Sequence, residues 1–229
     1  MCNSNRILLL LTLCVITSTA VGTPLYNINA AVGYSTFTTR DQGPLVFSNY
    51  IFDRLLPAKQ NHNASFNLDA KRLFTSPYNG LEQITLGPAL YFQKSAFTGD
   101  VWELGLPEFY NFRYQYGSEN TNLFIEANLY FKSIHTIQPF ITAGLGLGFI
   151  KAYYDDTALP NIPLTDEKHW ANWSTKPSFD LGLGLALPLS EKLSVNAHYA
   201  YINSGTVTVN ALVIKTASQN VFFGINYLL

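Results

Sequence analysis

Six ionisable side chains fall at alternate positions in segments that are otherwise apolar or small: Glu103, Arg113, Glu126, Lys132, Asp180 and His198. Charges in such surroundings persist when they are paired and hydrogen-bonded. Acids, bases and one titratable imidazole make a balanced set, and two chemistries suit it. One is a network of ion pairs that fills an enclosed space. The other is a charged path that passes a small solute or ion. Nucleophilic catalysis fits poorly. His198 is followed by Tyr199 and Ala200, and Ser194 lies four residues back. At about 3.3 Å per residue along a strand, that serine is out of hydrogen-bond reach. Asp155, Asp156, Asp166, Glu167 and His169 gather in one polar stretch. They lack the fixed ligand spacing of calcium sites and read as a solvated acidic loop. The sequence implies no cofactor and no metal.

A second set is aromatic: Phe47, Tyr50, Phe52, Trp170 and Trp173 stand in polar stretches between the alternating segments. They read as packing loops on one another or resting at an interface, with an adhesive surface patch as the alternative.

The elements that position these residues are strands. Period-2 alternation recurs over about Leu25–Thr38, Gln83–Gln93, Asp100–Tyr116, Thr121–Lys132, Ile137–Ala152, Pro177–Pro188, Lys192–Asn203 and Thr216–Leu229. One face of each is apolar. The other carries Gly, Asn, Ser, Gln and the charges above. Short connections are expected at Lys94–Gly99, Ser133–Thr136 and Leu189–Glu191, and long polar ones at Thr39–Glu82 and Tyr153–Lys176. Gly117–Asn120 breaks that pattern by being short. Within the first long connection, Pro44–Leu56 reads as a helix or an extra hairpin. Pro107 and Glu108 interrupt the apolar face of Asp100–Tyr116, which calls for a bulge or an earlier end to that face. Pro88 raises the same question more mildly.

Composition narrows the class. Charged residues make up 13% of the 229 residues, against about 25% in an ordinary globular domain. Disorder is excluded by 14% aromatics. With 14 Lys+Arg against 15 Asp+Glu there is no basic surface for nucleic acid. Met1–Gly22 reads as a secretory leader: Arg6, the apolar run Ile7–Ile16, then small residues with cleavage after Ala20 or Gly22. Both cysteines, Cys2 and Cys14, lie within it, so residues 23–229 carry no disulfide.

An apolar wall built from strands of about 10 residues suits a bilayer, where strands span only as a closed barrel. The expected fold is all-β: an eight-stranded antiparallel transmembrane β-barrel over 23–229, with the apolar face outward. A soluble barrel with an apolar ligand inside would reverse the faces. It would leave an outer wall of glycine in the segments at Ile137–Ala152 and Pro177–Pro188.

The chain over about Thr23–Leu229 resembles the OmpA/OmpX-type small outer-membrane barrels of Gram-negative bacteria, including the opacity-type surface antigens. The residues that carry this are Tyr26–Tyr34, the glycine-alternating run Pro139–Phe149 and the final strand Asn220–Leu229. The resemblance implies a surface-interaction or structural role through long outer loops, or a narrow pore. It implies outer-membrane lipids and lipopolysaccharide as surroundings, and an unknown extracellular ligand. It also implies a terminal signal for the barrel-assembly machinery in Phe223, Tyr227 and Leu229, where the family usually ends in Phe. Outer-membrane lipid A deacylases share the architecture and use a His-x-Ser pair; His198-Tyr199-Ala200 departs from it at the nucleophile. No enzymatic activity is therefore expected.

Overall fold

The computed structural model describes residues 25–37, 44–46, 52–56, 59–61, 63–76, 78–160, 167–210 and 212–229. The leader expected at 1–22 lies outside the described residues. In chain order the strands are β1 (Tyr26–Phe37), β2 (Pro44–Val46), β3 (Phe52–Leu55), β4 (Lys59–Asn61), β5 (Asn63–Thr75), β6 (Leu81–Trp102), β7 (Tyr110–Phe131), β8 (Gln138–Ala158), β9 (His169–Pro188), β10 (Leu193–Val209) and β11 (Leu212–Leu228). Among the described residues there is no α-helix.

The sheet closes. β1 pairs with β5 and β11, β5 with β6, β6 with β7, β7 with β8, β8 with β9, β9 with β10, and β10 with β11. Every pairing is antiparallel, and closure removes the free edges that an open sheet would present. Off the ring, β2 pairs with β3, while β3 and β4 pair with the distal part of β6. This hairpin resolves the alternatives left open for Pro44–Leu56.

The near end of the ring carries tight turns around Gly80, His135 and Ser190. Gly80 and His135 adopt positive φ there. The far end carries the longer connections, those from β1 to β5, β6 to β7 and β8 to β9, while β10 and β11 join there by a tight turn at Asn210.

Several expected boundaries shift. Lys94–Gly99 is not a turn but the interior of β6, and Gly117–Asn120 is the interior of β7. Asp100–Tyr116 is not one strand. It comprises the end of β6, two 3-10 turns (Glu103–Gly105 and Pro107–Phe109) and the start of β7. Pro107 opens the second turn, where its missing N–H costs nothing, and Glu108 stands exposed at the tip. Thr39–Glu82 contains a full strand of the ring, β5. The connection expected at Tyr153–Lys176 shrinks, because β8 runs to Ala158 and β9 begins at His169. One physical cause covers most of these shifts: the strands outrun their apolar stretch, and polar residues beyond it stay paired.

The two walls exchange character along the strands. On β7 the outward residues of the near half are Leu129, Ala127, Ile125 and Leu123; farther on they are Glu119, Gln115 and Arg113. The inward residues run from Asn128, Glu126, Asn122 and Asn120 to Tyr116, Tyr114 and Phe112. β11 repeats this. Its outward side chains go from Tyr227, Ile225, Phe223 and Val221 to Gln219 and Lys215. Its inward ones go from Asn226, Asn220 and Ser218 to Ile214 and Leu212. The near half is thus apolar outside and largely polar inside, apart from the rings of Phe124, Tyr130 and Phe222, and the far half is largely the reverse, apart from the exposed Val213. A buried far-end core of Phe37, Phe97, Phe112, Tyr114, Tyr154 and Leu212, with their neighbours, fills the extension.

Candidate functional site

The lumen of the near half is built by one inward row. Glu126 on β7 is paired with Gly87 on β6 and with Gly144 on β8, and Gly144 is paired with Asp180 on β9. Lys71 on β5 stands on the other side of Gly87; a Cβ at Gly87 would meet its Cα. Charged residues therefore alternate with glycines around five adjacent strands. A Cβ at Gly144 would collide with Asp180 Oδ1. Each glycine gives up its volume to the long side chains beside it.

The Lys71 ammonium donates to Glu126 Oε1 and, at 3.1 Å, to Asn128 Oδ1, and lies 3.3 Å from Asp69 Oδ2. The Tyr91 hydroxyl donates to Glu126 Oε2 at 2.7 Å. Asn29 donates to Asn67 Oδ1 at 2.7 Å and to Asp69 Oδ2 at 2.9 Å, and Asn196 donates to Asn29 Oδ1 at 2.9 Å. Lys71 and Glu126 are only 1% and 2% exposed. The space among these groups is a cavity of about 10 Å³, about the room one water needs.

Aromatic rings seal this cluster on the far side. Tyr91 meets Phe124 and Phe222 edge-on at 5.7 and 5.6 Å. His198 stacks on Phe222 at 5.0 Å, while Phe140, 6.0 Å from His198 and 5.1 Å from Tyr130, closes the cluster on the near side. A Cβ at Gly184 would collide with the Phe140 ring. A polar layer follows, in which Gln93 donates across the lumen to Asn220 Oδ1 at 2.7 Å and to Ser218 Oγ at 2.9 Å.

Of the six charged residues singled out from sequence, the structure brings Glu126, Asp180 and His198 into this lumen. It does not bring the other three. Arg113 projects outward at the far end, 3.6 Å from Asp100. Glu103 lies in a far-end turn and accepts from Asn111. Lys132 is exposed at the near end and donates to Asn79 at 2.8 Å. The correction follows from the strand boundaries: Glu103 and Arg113 fall in Asp100–Tyr116, which spans a far-end turn between two strands and is not one strand, and Lys132 lies just past the end of β7. The cation that sequence reasoning missed is Lys71, with Asp69 beside it, because β5 was taken for loop. Its signal was Ala64, Phe66, Leu68 and Ala70 alternating with Ser65, Asn67, Asp69 and Lys71.

Ser194 accepts from Asn226 at 3.2 Å, and the His198 ring faces the Asn196 amide oxygen at 3.3 Å. Neither contact forms a serine–imidazole pair.

At the far end, Lys168 lies between Asp53 and Asp156, at 3.7 and 3.8 Å, with its ammonium 5.4 Å from the Phe112 ring centre. Asp53 accepts from the Leu104 N–H at 3.3 Å, and Asp156 from the Lys168 N–H at 2.6 Å. Burial pushes both carboxyls above their ordinary range, against the pull of Lys168. This latch ties β3, the turn at Glu103–Gly105 and the end of β8 together. Asp156 is therefore buried, not solvated as expected of the acidic stretch. Asp155 and His169 do remain at the surface, 3.0 Å apart. Asp166 lies outside the described residues.

Of the aromatic set, Trp170 stacks on Tyr154 at 5.1 Å and packs against the far-end core. Trp173 is 72% exposed. Phe52 opens β3, and Phe47 and Tyr50 lie outside the described residues. Phe223, Tyr227 and Leu229 all face outward and are exposed.

No family model matches the sequence, and no curated protein does. Among solved structures the chain is similar to Neisserial surface protein A, at 12% identity, over 89% of this chain and 96% of that one, with a TM-score of 0.40. It is similar to the outer membrane protein OprG from Pseudomonas aeruginosa at 11% identity, over 90% and 96%, with a TM-score of 0.49. It is also similar to the outer membrane protease OmpT from Escherichia coli at 9% identity, over 93% and 99%, with a TM-score of 0.49.

Proposed function

We propose that this chain is an outer-membrane barrel of the small OmpA/OmpX-like kind. It crosses with eight strands after export on a leader at residues 1–22, its lumen is closed, and it presents its far end at the cell surface in a structural or interaction role. The observation that carries this reading is the exchange of wall character along β7 and β11. In water an apolar outer wall around a polar interior is unfavourable; in hydrocarbon it is required. The far half, apolar inside and polar outside, is built for water. A soluble ligand-binding barrel would have one character along its full length.

The closed lumen rests on Tyr91, Phe124 and Phe222, each at most 1% exposed, stacked over the Lys71–Glu126 cluster. An interior that eight strands leave just wide enough for side chains is filled here by rings and by the charge cluster of Lys71, Asp69 and Glu126. Phe223, Tyr227 and Leu229 serve as the recognition face for the barrel-assembly machinery.

Gel mobility of the outer-membrane fraction, boiled against unboiled, tests the fold and its location. The folded barrel resists SDS and migrates compactly until heated. Absence of a shift, with the protein recovered from the soluble periplasm, overturns the reading. Purified protein in a planar bilayer then tests the lumen: silence is expected, and a steady current overturns closure.

A further inference from the structure

The outward rows of the β6–β9 wall mark where the apolar belt ends. Reading across β6, β7, β8 and β9, one row is Leu90, Leu123, Leu147 and Pro177. The next is Phe92, Thr121, Phe149 and Thr175. The one after is Lys94, Glu119, Lys151 and Trp173, each directly paired with its neighbour. Successive outward rows lie about 6.6 Å apart along a strand, hence about 5 Å along the normal of a barrel whose strands tilt at about 45°. The charged row therefore stands within one headgroup's depth of the belt.

That row holds two cations and one anion. Lys94 Nζ lies 3.1 Å from Glu119 Oε1, and Lys151 Nζ lies 3.9 Å from Glu119 Oε2. The Lys151 ammonium is also 5.7 Å from the centre of the Trp173 ring. The single carboxylate draws both lysines to one spot and neutralises one of them. Six ammonium N–H donors face one acceptor group, and the lysine side chains are 51% and 37% exposed. The two cations and their carboxylate stand on three adjacent strands, β6, β7 and β8.

We infer that Lys94 and Lys151, braced by Glu119 and flanked by the Trp173 ring, bind the phosphate of an outer-leaflet lipid headgroup. The inference rests on the membrane reading above. Ammonium groups on flexible stems reach upward from an apolar wall and meet phosphate as point charges, and an indole packs at the same depth. With one lysine charge spent on Glu119 the site keeps one net positive charge, so it favours a headgroup with net negative charge over the zwitterionic headgroup of phosphatidylcholine.

The test uses full-length mature protein refolded into phosphatidylcholine vesicles doped with bis-phosphorylated lipid A, with its dephosphorylated counterpart, or with inorganic phosphate in the buffer. Native mass spectrometry after mild detergent release reads the retained lipid. Retention of the phosphorylated lipid alone is expected. It should fall about fivefold for Lys94→Gln or Lys151→Gln and about twenty-fivefold for both, as expected for phosphate-facing lysines at an anionic surface. Equal retention of the two lipids, an undiminished adduct in the double variant, or displacement by inorganic phosphate overturns the inference. Heat-dependent gel mobility of the same samples separates the two failures. A folded barrel without selective retention sinks this site alone, whereas no folded barrel sinks the membrane reading.

Discussion

Lys71 and Glu126 form an ion pair between two strands that never touch as neighbours, β5 and β7. They meet across β6 because the residue between them is Gly87. Next to Gly87, Pro88 has no N–H to give, and the β5–β6 register passes from Asp69–Ala89 to Arg72–Leu86. A ladder interruption and a missing side chain thus coincide where the lumen needs room for charge.

Removing one partner of this pair leaves an uncompensated charge in a space with room for about one water. Lys71→Met should destabilise the barrel by about 3–5 kcal/mol, whereas Lys71→Met with Glu126→Gln should regain much of that loss. Guanidinium unfolding in vesicles, followed by tryptophan fluorescence, measures both. Additive single and double effects would contradict the pairing.

The outward belt makes a depth-dependent prediction. Leu183 is 64% exposed midway along the apolar wall of β9. Leu183→Arg should cost about 2–4 kcal/mol in a bilayer. Thr208→Arg, outward on the far half of β10, should stay within about 0.5 kcal/mol. Equal costs at the two positions would argue against hydrocarbon around β9.

Gly184→Ala would drive a methyl group into the Phe140 ring and the His198 Cβ, which lies 2.5 Å from where the new carbon would stand. Both neighbours are held in the ring stack, so the cost of overpacking, about 1–3 kcal/mol, should appear as lost refolding yield. Refolding efficiency scored by gel mobility measures it. At Gly205 a Cβ meets nothing within 4 Å, so only its positive φ opposes substitution.

The far-end latch should respond to acid. Asp53 and Asp156 have folded pKa values above the ordinary 3.8. In the window between 3.8 and those raised values the folded state holds more protons than the unfolded one. Stability from these groups therefore rises as pH falls through the raised values, and stops rising below 3.8. Hydrogen exchange at the Leu104 and Lys168 amides, corrected for intrinsic rates, should slow relative to neutral pH when measured near pH 4.5. Asp53→Asn with Asp156→Asn should abolish that dependence.

The barrel character was legible wherever alternation was strongly apolar, as in Ile141–Phe149 and Phe179–Leu187. β5 escaped because two of its outward residues are alanines and its inward ones include Asp69 and Lys71, a composition that reads as loop until the charges are seen to pair. The far halves of β6 and β7 escaped for a different reason. Their walls have exchanged character, so Phe112, Tyr114 and Tyr116 were assigned to the outward face although they point into the far-end core. The Lys71–Glu126 pair was legible only in half, since Glu126 lay on a recognised strand and its partner did not.

Asp100, Arg113, Glu119, Lys94 and Lys151 all stand beyond the belt from the tight turns of the near end. If those turns stay on the side of synthesis, each of these charges has to be carried through hydrocarbon during assembly. One basic side chain at the midplane costs about 2–4 kcal/mol, and several carried in the same hairpins raise a barrier of many times thermal energy. The same barrier opposes the return journey. On the proposed membrane reading the far half is then a rivet head: it forms once, after translocation, and holds the molecule's orientation kinetically for as long as the strands remain closed.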